Sequence, residues 1–203
     1  MIVKENIYIC YCENIISIMN NIKIFVLIVM FAMTSCAEHQ IARTLKNFRT
    51  STITLPEDLQ KIHHRSQTTI EGSDTGIPVM IMYHDSLECS SCRISHLIDL
   101  LDLYELADSL GTFKVMTIFS PREDEYDELL TKLIVNNFEY PIYIDFSGSF
   151  RQRNKAIPED RRFHSFLINS SGQPVFVGDP TASDQLWSLF LKSLEDIGKD
   201  CQK

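Results

Sequence analysis

Residues 78–97 read PVMIMYHDSLECSSCRISHL, and the order of features within them decides what kind of fold the chain can adopt. The run PVMIMY, 78–83, is continuously apolar and of strand length, as expected for a strand covered on both faces. It leads straight into Cys89 and Cys92, three positions apart. From there Ile94, Leu97, Ile98, Leu101, Tyr104 and Leu110 recur near helical spacing until Gly111 supplies a C-terminal stop. A buried strand, a C-x-x-C and a helix therefore follow one another directly. This places Cys89 at a helix N-terminus, where unpaired N–H groups and the helix dipole favour a thiolate, with Cys92 one turn later on the same side.

Further along, FKVMTIF, 113–119, reads as a second buried strand. Ser120-Pro121-Arg122-Glu123 has capping-box spacing with Pro at the first helical position, which predicts a helix to about residue 136. PIYID, 141–145, is a short third strand, followed by a polar connection over 147–162. HSFLIN, 164–169, and PVFVG, 174–178, are joined by a glycine-containing turn and predict an antiparallel hairpin. The last element, 183–197, carries Leu186, Leu189, Phe190 and Leu194 at helical spacing, with Trp187 as a packing anchor and Gly198 as its end. Strands alternating with helices predict an α/β fold with a mainly parallel sheet, to which the hairpin adds an antiparallel edge. Upstream, STITLP, 51–56, alternates as a short strand would, whereas 57–76, with His63 and His64, reads as surface. Arg151, Arg153, Arg161 and Arg162 read as a solvated charged face around the loop before His164.

The chain has 203 residues, 44% hydrophobic and 23% charged, which suits one globular domain. Its net charge is −8 and no basic run exceeds Arg161-Arg162, so nucleic acid is not an expected partner. From Met19 the sequence shows a short n-region ending in Lys23, an apolar run from Ile24 to Met33, and then Thr34-Ser35-Cys36. That run of 10 residues is short of the roughly 20 needed to span a bilayer and reads as a signal peptide. Small residues before a single cysteine resemble the lipobox of bacterial lipoproteins, which implies a lipid on Cys36 and membrane attachment in the cell envelope. Glu5 and Glu13 put acids where an n-region is normally basic, so Met19 is the expected start and 1–18 fall outside the signal. The expected division is a signal segment over 1–35, a lipidated tether and N-terminal extension over 36–76, and the folded domain over 77–203. Cys10 and Cys12 then leave with the signal and cannot complete a four-cysteine zinc site. In an oxidising compartment this leaves one pair and Cys201, read as a solvated tail residue.

With ECSSC after an apolar strand, YPIYIDFSGSF, PEDRRFHSFLINSSGQPVFVGDP and a terminal amphipathic helix, residues 78–197 resemble the thioredoxin-like fold and, within it, the thioredoxin-like lipoproteins of Bacteroidetes. The resemblance implies a central mixed sheet flanked by helices. It also implies a periplasm-facing thiol-disulfide oxidoreductase in which Cys89 attacks and Cys92 resolves. Its partners would be protein thiols or disulfides of the envelope, and the cysteine pair itself would stand in place of any cofactor. Ser90, Ser91, Arg93, Phe163 and His164 would lie near the pair, with Arg93 favouring a Cys89 thiolate and Glu88 opposing it. Two departures stand out. The position of the thioredoxin cis-proline is taken by Phe163, followed by His164 and Ser165, and PVMIMY lacks the buried acid of many thioredoxins.

Two other readings remain open. Cys89 and Cys92 with His164, or with His96, offer soft donors suited to Cu(I) or Zn(II). In outline this is similar to the Sco copper-chaperone family, but with two residues rather than three between the cysteines. Alternatively, the domain is a non-catalytic thioredoxin-like binding module.

Overall fold

The computed structural model describes residues 39–64, 66–69, 76–88 and 90–200, together with Lys23. The expected signal segment apart from Lys23, the expected lipidation site Cys36, and Cys10, Cys12, Cys89 and Cys201 lie outside the described residues. Two compact units divide the chain, 1–46 and 47–203. Residues 39–46 of the first unit are helical, and 47–49 of the second are helical too; this described helical stretch, 39–49, is labelled α1. No helix among the described residues is long and apolar enough to cross a membrane.

The second unit is built on one seven-stranded sheet in the order β2-β1-β5-β4-β3-β6-β7. Its strands are β1 Gln60–His63, β2 Ser66–Thr69, β3 Val79–His84, β4 Lys114–Phe119, β5 Ile142–Ile144, β6 Ser165–Ile168 and β7 Pro174–Val177. β3 lies parallel to β4 and antiparallel to β6, and β4 is parallel to β5. The connections supply α2 Ser90–Ser95, a 3-10 turn Leu97–Leu100, α3 Leu101–Leu110, α4 Tyr126–Asn136, α5 Ser149–Arg153 and the terminal α6 Asp184–Asp200. A parallel β3–β4 unit with its helices, an antiparallel β6–β7 hairpin against β3 and a closing helix make a thioredoxin-like fold, a central mixed sheet flanked by helices.

β3 is apolar from Val79 to Tyr83 because both its faces are covered there. Met80 and Met82 pack with Leu103, Phe119, Leu167 and Phe190, while Val79, Ile81 and Tyr83 pack with Phe48, Leu59, Phe150 and Phe166. Each such side chain, fully buried, contributes roughly 1.5–3 kcal/mol. The predicted hairpin is present as β6–β7, and Gly111 caps α3 in the left-handed region at φ 63.

Five local expectations are corrected. Residues 51–56 are not a sheet strand, because their backbone bonds go elsewhere. The Ile53 N–H donates to Gly172 O at 2.8 Å, and the buried Asn154 side chain accepts from Thr54 N–H at 2.8 Å and donates to Thr54 O at 2.9 Å. Segment 57–76 is not simply surface: Leu59 is fully buried, Ile62 joins the core, and β1 pairs with β2 and β5. His64 is exposed there, but His63 is half-buried and bonds Glu139 O through Nε2 at 3.0 Å. The helix expected over 92–110 breaks at His96, whose N–H donates three residues back to Arg93 O; the tighter 3-10 turn that follows leaves Ile98 65% exposed. Ser120 caps nothing, since its Oγ donates to Asp145 O and α4 begins only at Tyr126. At the other end, α6 passes through Gly198 to Asp200.

Candidate functional site

β3 ends at His84, and the residues that follow turn the chain into α2. Asp85 sets that turn: Glu88 N–H donates to Asp85 O at 3.1 Å and Leu87 N–H to Asp85 Oδ1 at 3.0 Å. The turn leaves Leu87 80% exposed and buries Glu88 at 6% exposed. Cys92 lies exposed on α2 and is disulfide-bonded. Cys89, between Glu88 and α2, lies outside the described residues, as do the side chains of Ser90 and Ser91.

Glu88 supplies the buried acid that β3 lacks, and it does so from the loop. Arg93 Nε donates to Glu88 Oε2 at 2.5 Å, and His84 Nδ1 approaches the same oxygen at 3.3 Å while its ring packs at a tilt against Phe119. Burial pushes the Glu88 carboxyl up, but the hydrogen bond and charge of His84 and the charge and hydrogen bond of Arg93 outweigh it and hold the carboxyl below the ordinary value. Glu88 and Arg93 therefore answer each other's charge rather than acting separately on a thiolate.

His164 stands just ahead of β6 and is 1% exposed. Its backbone joins β3 through Tyr83 N–H, which donates to His164 O at 3.1 Å. Its Nε2 donates to Pro158 O at 2.9 Å, and its Nδ1 stands 3.7 Å from Asp85 Oδ2. Among the described residues, the metal-ligand types gathered around His164 are Asp85 and Glu88, without Cys92. His96 is elsewhere, exposed and paired with Asp99 at 2.9 Å.

The loop before His164 is pinned by Arg151, which donates to Ile157 O at 2.7 Å and Pro158 O at 3.2 Å and is not part of a solvated face. Asp160 accepts from the Arg162 N–H and grips its guanidinium, which also lies over the Phe163 ring at 5.6 Å. No cis peptide bond occurs among the described residues. Between this loop, the start of α2 and the β7–α6 connection lies an open cleft of about 900 Å³, with Arg93, Phe163, Val177 and Leu186 among its lining residues.

Arg93 and Phe163 thus flank one cleft, and His164 is buried beside Tyr83, one of its walls, with ring centroids 5.3 Å apart. His84, Asp85 and Glu88 did not emerge from the sequence reading as a group. Their signal was the density of titratable residues in HDSLE immediately before the cysteines.

No family model matches the chain, and no curated protein matches it. Among solved structures it is similar to an uncharacterized thioredoxin-like protein from Porphyromonas gingivalis, at 15% identity and TM-score 0.46, over 73% of this chain and 95% of that one. It is also similar to AhpC from Enterococcus faecalis, at 14% identity and TM-score 0.46, over 75% and 96% of the two chains. A third is the exposed lipoprotein thioredoxin Etrx1 from Streptococcus pneumoniae, at 21% identity and TM-score 0.43, over 67% and 97%. By its own strand order, with Cys92 on the first helix after β3, the chain has a thioredoxin-like fold.

Proposed function

We propose that the chain is a thiol-disulfide oxidoreductase of the bacterial cell envelope, exchanging disulfides with protein partners through Cys89 and Cys92. The observation that carries this reading is Cys92 itself, solvent-exposed and disulfide-bonded near the start of the helix that follows β3. Cys89 is the bonding partner the reading assigns. In the reduced protein the Cys89 thiolate attacks one sulfur of a partner disulfide, forming a mixed disulfide and releasing the partner's other sulfur as a thiolate. The Cys92 thiolate then attacks the Cys89 sulfur, expels the partner's second thiolate and closes the Cys89–Cys92 bond. Two electrons have passed to the partner, and the reverse sequence oxidises a partner dithiol. The cleft beside α2 offers a polypeptide apolar contacts at Phe163, Val177 and Leu186, and Leu87 stands exposed beside Glu88. A signal peptide over 19–35 and a lipid on Cys36 would hold the domain at an envelope membrane, facing the periplasm.

The test is a glutathione redox titration of the full chain carrying Cys201→Ser, following Cys89 and Cys92 by thiol alkylation and intact mass. The pair is expected to open and close as a single two-electron couple within the range of known dithiol proteins, about −270 to −120 mV. Failure to form an intramolecular disulfide under oxidising conditions would overturn the reading.

A further inference from the structure

His164 Nδ1 is a buried atom with no hydrogen-bond partner. Nε2 faces the Pro158 carbonyl at 2.9 Å, and a carbonyl can only accept, so Nε2 carries a proton. In the neutral ring Nδ1 is then a bare lone pair, and it stands 3.7 Å from Asp85 Oδ2, too far for a hydrogen bond. A buried lone pair and a partly exposed carboxylate held this close repel each other, and a cation between them converts that repulsion into ligation. Glu88 provides a third donor: the ligand atoms of Asp85, Glu88 and His164 all lie within 4.8 Å of one another.

We propose that Asp85, Glu88 and His164 form a binding site for a first-row divalent cation of the Zn(II) type. Zinc bonds to His nitrogen and carboxylate oxygen are about 2.0–2.2 Å long, so two ligand atoms on one ion stand roughly 3–4 Å apart, and the Asp85–His164 spacing of 3.7 Å falls in that range. One imidazole nitrogen with two carboxylates suits Zn(II), Mn(II) or Fe(II) and not Cu(I), which prefers sulfur. The surroundings are those of a ligand set held in place. The imidazole gives its other N–H to a backbone carbonyl, which fixes the tautomer that leaves Nδ1 free. Arg93 and His84 both hold Oε2 of Glu88, which orients its carboxylate. This site uses no thiol and stands or falls apart from the disulfide chemistry of Cys89 and Cys92.

The experiment is a Zn(II) titration, in competition with a chromophoric chelator, of the full chain with all 6 cysteines changed to serine. The oxidised wild-type chain, whose disulfide sulfurs are not thiolates, serves as a second background in case the serine variant does not fold by circular dichroism. One Zn(II) per chain is expected. Asp85→Asn and Glu88→Gln should each weaken binding at least tenfold, while His96→Asn on the surface should leave it unchanged. Zinc-edge absorption should show nitrogen and oxygen neighbours only. Absence of 1:1 binding in a folded background, or binding indifferent to both carboxylate changes, overturns the site. Sulfur neighbours in the oxidised chain, or binding lost when the cysteines are removed, also overturn it by assigning the metal to thiols. The glutathione titration scores the dithiol whatever the zinc result.

Discussion

Tyr104 and His164 are both rings buried to within a few per cent, 3% and 1% exposed, and both carry polar atoms into the interior. Tyr104, on α3, reaches β4 and shares a hydrogen bond of 2.9 Å with Thr117; burial raises its ionisation well above the ordinary tyrosine value, so the pair is neutral. His164 satisfies Nε2 but leaves Nδ1 facing Asp85. The first arrangement is what a core asks of a polar group, paired and uncharged. The second leaves an acceptor unmet beside charge, at the point where β3 leads toward the cysteines, and packing alone gives no reason to carry that cost. Burial is the same in the two places. Satisfaction of the buried atoms separates a group that holds the fold from one arranged for a ligand.

The largest effect that would sharpen this contrast is on turnover. Cys89→Ser and Cys92→Ser are each expected to bring reduction of a protein disulfide to background, with the Cys92→Ser protein accumulating a mixed disulfide at Cys89. Structural polar groups should behave oppositely, losing stability and keeping the exchange rate. Asp145 is the strongest case. It is 1% exposed, and its two carboxylate oxygens accept the N–H groups of Ser149 and Phe150 at 2.9 Å each, at the start of α5. Asp145→Ala leaves these donors without that acceptor and is expected to cost about 2–4 kcal/mol by urea denaturation. Tyr104→Phe leaves one buried Thr117 hydroxyl unpaired, at about 1–3 kcal/mol. A folded Tyr104→Phe protein that lost disulfide exchange would break the distinction between the two ends of the comparison.

How far each part could be read from the chain follows from where its signal lies. PVMIMY and FKVMTIF announce themselves because a strand covered on both faces must be apolar at every position, and Cys89 and Cys92 because dithiol spacing is local. β1 and β2 were missed for the opposite reason: on a sheet margin only Ile62 of QKIH needs to be buried, so the hairpin resembles polar surface. STITLP alternates like a strand, yet the partners that take its backbone bonds, Gly172 and Asn154, are 100 or more residues away in the chain. The site divides similarly. His164 was singled out by its place before the strand, but its neighbours Asp85 and Glu88 gain meaning only when β6 is laid beside β3. Glu88 and Arg93 looked like opposed influences on a thiolate because sequence gives their charges and not the 2.5 Å contact that joins them.

The finest test of the comparison lies at Tyr83, whose ring stands between Phe150 at 5.0 Å and His164 at 5.3 Å. Burial, only partly offset by a hydrogen bond with Ser120, pushes its phenol from 10.0 up to about 12. Below pH 10 the hydroxyl is protonated in both folded and unfolded chains, and the Tyr83 contribution to stability is fully present. Between 10 and about 12 the unfolded chain gives up the proton first, so stability falls as pH rises toward the folded value. Tyr83→Phe should therefore flatten the decline in stability between pH 10 and 12 while changing little at neutral pH, and the tyrosinate absorbance of the wild type should contain one more late-titrating ring than the variant. If Tyr83 instead ionises near 10, water reaches that end of β3. The His164 lone pair is then solvated, and its difference from Tyr104 disappears.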